Sequence, residues 1–463
     1  MQYSTFAAID IGSYDVILEI FEISKKQGIR SVDKICHRME LGKDTYTLGK
    51  IRPEMEEELC RVLADFVRIM EGYRVDDYRA TASSAISEAS NSLYVLGKIH
   101  QLTGLSVTVL SNSEQRFLSY KALAAMEDNF NKIIEKGTAI LDLDGGSFQI
   151  SLFDKDALVT TQNIRMGSLR IRERLAGIQS ETEHYEEMVE ELIWNEVSSF
   201  KKMYLKDRKI ENIMLIGDVF TDSVYQNIEE KTTKIISREN FNTWYEKIIR
   251  QSPMELAVKL GIPLENASLM YPSAVIYKCL IDMMGAEHIW IPGVHMTRGI
   301  AYEYAEQMKL LKGGHNFEND ILMAAKNIGK RYAVNRPHVQ NLEMTALAMF
   351  DATKKMHGMK ERERLLLQMA VMLHDVGKYI SFNNVADSSY NIIMSNEIIG
   401  LSHIEREMVA LIARYNTVTL PSYDELVMES SLSAEQYLTV SELTAIVRLA
   451  NALDRSHLQK IQA

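Results

Sequence analysis

The chain has 463 residues, 46% apolar and 25% charged, which is the composition of a folded globular protein and excludes a disordered or fibrous one. With 63 acidic against 52 basic residues and a formal charge of −11, it carries no electrostatic footprint for nucleic acid. The opening residues lack a basic, cleavable leader, no run reaches bilayer length, and Cys36, Cys60 and Cys279 show no CxxC spacing, so a reduced cytoplasmic protein off the membrane is expected.

From Phe6 to Glu22 an apolar strand, a Gly/Ser turn and an alternating strand predict a β-hairpin. An acidic helical stretch around Pro53 to Glu71, the Ser-rich segment RATASSAISEASN and the short strand LSVTVL complete one α/β layer. Thr138 to Leu152, TAILDLDGGSFQISL, repeats the opening design. A helix over Glu181 to Lys202, the strand NIMLIG ending at Gly217 and the strand HIWIPG near Gly293 make it a second α/β unit. Leu311 to Asn316, LKGGHN, reads as a linker, and everything beyond it reads as helix. Three domains are therefore expected, over 1–125, 126–310 and 315–463.

A phosphate needs convergent N–H and hydroxyl donors, and a Gly/Ser turn supplies them because glycine lets the backbone approach closely. Gly12, Ser13, Gly145, Gly146 and Ser147 suit that role. Asp10 and Asp142, each ending the preceding strand, are placed to hold a divalent cation or to orient water. The same residue types also serve plain turns, but two copies in equivalent settings point to phosphate. The pair resembles the phosphate hairpins of the actin, sugar kinase and heat-shock ATPase fold.

Within that fold the order of motifs resembles the exopolyphosphatase and guanosine pentaphosphate phosphohydrolase (Ppx/GppA) family. DIGSYD at Asp10 to Asp15, ASSAISEASN at Ala82 to Asn91, LSNSEQ at Leu110 to Gln115 and DLDGGS at Asp142 to Ser147 carry the likeness, followed by RMGSLRI and IGDVFT. The resemblance implies an α/β fold of two actin-like (ribonuclease H-like) domains around a cleft, then an all-α HD-type domain. It further implies hydrolysis of terminal phosphoanhydrides of polyphosphate or guanosine polyphosphate, with Mg²⁺ or Mn²⁺, in a homodimer. In the family a Glu is the base for water, the Asp matching Asp142 assists with metal, and a loop Arg grips phosphate.

The chain departs from that pattern at the chemical positions. The base position is Gln115, which can hydrogen-bond water but cannot take its proton, leaving the neighbouring Glu114 as the carboxylate at hand. Ser87 stands at the gripping Arg, Asn112 and Asp144 replace glycines, and Val219 and Phe220 replace the SG of the distal loop. A non-hydrolytic phosphate or nucleotide sensor is accordingly an alternative.

Beyond residue 315, NRPHVQNL, MLHDVGK and NALDRSH place His338, His374, Asp375 and Asp454 in the order of HD-domain metal phosphohydrolase ligands, with Lys378 one turn after His374. A bound metal would lower the pKa of water, so a metal-dependent hydrolase seated in this domain is the third reading. Asn383, Asn384, Asp387 and Asn416 stand where further family histidines occur, which argues against a second metal. His357, His403 and His457 are expected to be structural or surface residues, and the 25 Met residues to fill core gaps.

Overall fold

The computed structural model describes residues 3–126, 130–155, 157–176, 185–227, 235–311 and 315–461. The chain forms two compact units, Met1–His315 and Asn316–Ala463.

In the first unit, β1 (Ser4–Ile11) and β2 (Asp15–Ser24) form the expected antiparallel hairpin, with Asp10 opposite Ile17. β2 pairs antiparallel with β3 (Gly28–Arg38). β4 (Asp77–Ala82) and β5 (Val107–Val109) extend the other edge in parallel, giving the order β3-β2-β1-β4-β5. The second sheet contains β6 (Thr138–Leu143), β7 (Phe148–Asp154), β8 (Ala157–Ile164), β9 (Asn212–Ile216), β10 (Ile235–Ser237) and β11 (His288–Trp290). Its order is β10-β11-β9-β6-β7-β8, which repeats the first sheet with β10 added at one edge. Asp10 and Asp142 thus occupy the same penultimate position of the central strand in each sheet, and the parallel neighbours β4 and β9 end beside them. In parallel sheets, ligands gather at these carboxyl ends.

Helix periodicity explains the layer on the first sheet: Leu59, Leu63, Phe66 and Met70 of helix Pro53–Tyr73 recur at one face and are buried in its core. The helix expected over 181–202 is described from Tyr185 to Phe200 and widens into a π turn, Lys201–Leu205; residues 181–184 lie outside the described residues. Residues 312–314 of the expected linker do as well.

Helix Met296–Gln307 follows the second sheet in sequence yet packs on the first. Ile300, Ala301 and Tyr304 join Phe6, Phe21 and Ile23 in one cluster, and the Phe6 and Tyr304 rings stack at 4.1 Å. It lies so close to helix Asn112–Met126 that a Cβ on Gly299 would overlap the Leu118 carbonyl. Gly299→Ala is expected to destabilise the first unit by roughly 1–3 kcal/mol, because backbone cannot yield as a side chain does; urea denaturation measures it.

In the second unit every described element is helical, including Arg336–His357, Glu361–Leu373, His403–Tyr415 and Ala434–Leu453. Ser402 with Glu405 and Ser433 with Gln436 form reciprocal caps that start the last two. Among the described residues, no helix is long and apolar enough to cross a membrane.

Candidate active site

The two sheets of the first unit enclose a cavity of about 430 Å³, whose walls include Asp10, Gly12, Gln115, Asp142 and Gly145. Each turn is braced by its own backbone: Gly12 N donates to Asp15 O (2.8 Å) and Asp144 N to Ser147 O (3.0 Å). Gly217, at φ +105°, stands where a Cβ would lie 2.7 Å from Asp142 Oδ1, so glycine there leaves the carboxylate its place.

The other expected phosphate ligands sit elsewhere. Ser13 is fully buried, its hydroxyl 2.7 Å from Tyr46 OH and 3.3 Å from Ser84 Oγ. Gly146 faces the same cluster, since a Cβ there would overlap the Tyr46 hydroxyl. Ser147 Oγ accepts from Arg116 Nη2 (3.2 Å). Neither Ser13, Gly146 nor Ser147 lines the cavity: Ser13 and Gly146 pack against Tyr46 and Ser84, and Ser147 is taken up by Arg116.

Gln115 is 4% exposed and lines the cavity, whereas Glu114 does not. Glu114 Oε2 accepts from Ser111 N (2.9 Å) and Oγ (2.8 Å), and Ser111 Oγ accepts from Glu114 N (3.3 Å), a capping box opening the helix. That pairing turns Glu114 away from the cavity. Ser87 donates to Ser84 O, Phe220 is buried in the second core, and Val219 and Asp144 reach the cavity wall.

A guanidinium is present after all, supplied by a residue the sequence pattern did not single out. Arg116 Nη1 donates to Asp142 Oδ1 at 2.8 Å, and the two residues are only 6% and 4% exposed. Six carboxylates, Asp10, Asp15, Asp142, Asp144, Asp218 and Asp222, share the cavity with Lys34, Arg38, Arg116 and His295. Burial pushes Asp10 well above the usual carboxylate range, reinforced by the Asp15 and Asp144 charges. Burial also lifts Asp142, against the pull of Arg116. Asp15 rises to about 6 and Asp218 to about 7, chiefly through burial.

These shifts carry a pH prediction. Asp15 and Asp218 bind protons more tightly folded than unfolded, so the stability they contribute is complete below about pH 4 and is lost as pH rises through 6 and 7. Urea denaturation of Asp218→Asn between about pH 4 and pH 8 is expected to show a shallower fall than wild type.

His295 caps the start of helix Met296–Gln307, and its Nε2 lies 3.6 Å from Asp222 Oδ1 of helix Val219–Asn227. Burial lowers the imidazole below its ordinary value, although the Asp222 charge opposes this.

In the second unit, His338 Nδ1 donates to Asp454 Oδ2 (2.8 Å) and His374 Nδ1 to Val371 O (2.7 Å). These bonds leave each Nε2 as a lone pair, and both are buried without a hydrogen-bond partner among the described residues. His338, His374 and Asp375 each offer a ligand atom within 4.8 Å of the other two. The grouping does not include Asp454, which backs His338 and is itself held by Gln459 N (2.8 Å). Lys378 pairs with Asp375. Although burial opposes its charge, His374 and Lys378 hold the Asp375 carboxyl below the usual range. His457, expected to be a structural or surface residue, stacks on His338 at 3.7 Å, with 6° between the rings.

Residues 20–308 match the Ppx/GppA phosphatase family, and residues 322–463 match Ppx/GppA phosphatase, domain III. A guanosine-5'-triphosphate,3'-diphosphate pyrophosphatase of Vibrio atlanticus is 18% identical over 449 residues, covering 96% of this chain and 86% of that protein. A bifunctional 3-dehydroquinate synthase/phosphatase of Fusobacterium nucleatum is 21% identical over 310 residues, covering 61% of this chain; the match spans only 44% of that longer protein. Among solved structures, an exopolyphosphatase from Cytophaga hutchinsonii aligns with a TM-score of 0.59 at 17% identity, over 66% of this chain and 98% of that one. The Aquifex aeolicus Ppx/GppA family member gives 0.55 at 17%, over 66% and 99%. Those two share the two-sheet fold of the first unit. The duplicated sheets, the paired aspartates at their cavity and the family match across both units lead to one assignment: the chain belongs to the Ppx/GppA phosphatase family.

Proposed function

We propose that the chain releases terminal phosphate from polyphosphate or guanosine polyphosphate in the cavity between its two sheets. The observation that carries this is the pair Asp10 and Asp142, at equivalent strand ends, facing one cavity beside Gly12 and Gly145. The Vibrio and Cytophaga relatives are named for these two substrate classes. Six carboxylates around a polyanion call for a counter-charge, and Asp10 Oδ1 is buried without a hydrogen-bond partner among the described residues, which fits a divalent cation. Mg²⁺ or Mn²⁺ held by Asp10 and Asp142 would neutralise phosphate charge and polarise the anhydride. Gln115 orients water through its amide, and Arg116 keeps Asp142 in place.

Phosphate release from polyphosphate, guanosine pentaphosphate and ATP, with Mg²⁺ or Mn²⁺, tests this in wild type, Asp142→Ala and Asp375→Ala. Turnover that survives Asp375→Ala and is lost in Asp142→Ala is the expected result. The reverse would move the chemistry to the second unit. Binding without turnover in every condition would leave a phosphate or nucleotide sensor.

A second reading is favoured by the two buried Nε2 lone pairs. His338, His374 and Asp375 would hold one divalent metal, with Asp454 orienting His338 from behind, as carboxylates commonly do for ligating histidines. Such a metal would activate water for phosphoester hydrolysis.

A further inference from the structure

We propose that His295, backed by Asp222, is the general base that takes the proton from the attacking water in the cleft. The proposal rests on the phosphohydrolase reading of that cleft.

Gln115 lines the cavity with a neutral amide, which accepts no proton. Glu114 is spent on the helix cap. Asp142 is engaged by Arg116, and Asp218 Oδ1 accepts from Thr221 N (3.2 Å) and Tyr277 OH (3.3 Å). His295 is the one imidazole on the cavity wall among the described residues.

Its placement is well supported. Helix Met296–Gln307 is anchored directly after it by Thr297 Oγ1 donating to Glu19 Oε2 (2.5 Å), and by Gly299 against Leu118. Asp222 faces one ring nitrogen at 3.6 Å, just beyond hydrogen-bond length; such contacts commonly tighten when substrate binds. No hydrogen bond to the other nitrogen is found among the described residues. Burial and Lys34 on β3 favour the neutral ring, the form a base needs, while Asp222 and Glu19 on β2 favour the imidazolium formed during reaction.

The step balances. Water oxygen forms a bond to the terminal phosphorus, the bridging P–O bond breaks, and the leaving phosphate carries away its electron pair. The water proton passes to His295 and then to the leaving oxygen or to solvent, so the ring returns neutral.

The test is phosphate release from guanosine pentaphosphate and polyphosphate as a function of pH, on the full chain, for wild type, His295→Gln, His295→Ala, Asp222→Asn and Asp142→Ala. His295→Gln is expected to lower kcat by roughly 10²–10⁴-fold with little change in KM, and to remove the acidic limb of the pH profile. Imidazole is expected to restore part of the His295→Ala rate, which a merely structural role would not allow. Asp222→Asn is expected to lower kcat less and to move the acidic limb to lower pH, because the imidazolium loses its counter-charge. If His295→Gln keeps wild-type kcat and its acidic limb while Asp142→Ala is inactive, the base assignment fails and the cleft reading stands. Wild type without turnover on either substrate would remove both.

Discussion

Asp142→Ala is expected to reduce phosphate release by roughly 10³-fold, the scale on which removing one charged group at a reaction centre acts. It should also destabilise the first unit. Arg116 is 6% exposed, its Nη1 bonds Asp142, and truncating one partner of a buried pair costs roughly 3–5 kcal/mol because the other charge is stranded. Asp142→Asn separates the two effects: its amide oxygen still accepts from Arg116, so the fold is expected to hold while activity falls as far. Parallel kinetics and urea denaturation read this out. An Asp142→Asn enzyme with wild-type turnover would deny Asp142 any chemical role and leave it as Arg116's counter-ion.

The second large effect concerns the helical unit. Mn²⁺ at a thousandfold excess over its dissociation constant is expected to stabilise that unit by about 4 kcal/mol, a rise in its melting temperature on the order of 10 °C. His374→Ala and Asp375→Ala should abolish the rise, since each removes a converging ligand atom. Asp454→Asn should weaken affinity roughly 10–100-fold without abolishing it, because Asp454 acts by holding His338 Nδ1. A wild-type melt unmoved by Mn²⁺, Fe²⁺ and Mg²⁺ alike would remove the metal reading.

Both candidate sites could be proposed from the sequence because their signals are local. The hairpins at Asp10 and Asp142 announce themselves by period-two strands around a Gly/Ser turn, and the helical unit by the loss of strand-like runs. Glu114 reads as the carboxylate at hand, although Ser111 three residues before it has capping-box spacing, and the structure uses the pair in that way. Strands β3, β4, β8 and β10 were not read. β3 lies at a sheet edge with Lys34, Cys36 and Arg38 on its exposed face, so it shows no clean apolar alternation, yet that face lines the cavity.

Sequence alone determined the duplicated strand–turn–strand design, the helical second unit and the family's motif order, because these depend on periodicity and spacing along a few residues. Only the tertiary structure decided which groups meet. Contacts with Tyr46, Ser84 and Arg116 withdrew Ser13, Gly146 and Ser147 from the cavity, and helix Asn112–Met126 turned Arg116 onto Asp142. The return of helix Met296–Gln307 to the first sheet brought His295 beside Asp222, and the fold of the second unit set Asp454 behind His338. Those meetings join residues tens to hundreds of positions apart, and what brings them together is the burial of apolar faces on distant elements, which no local pattern records.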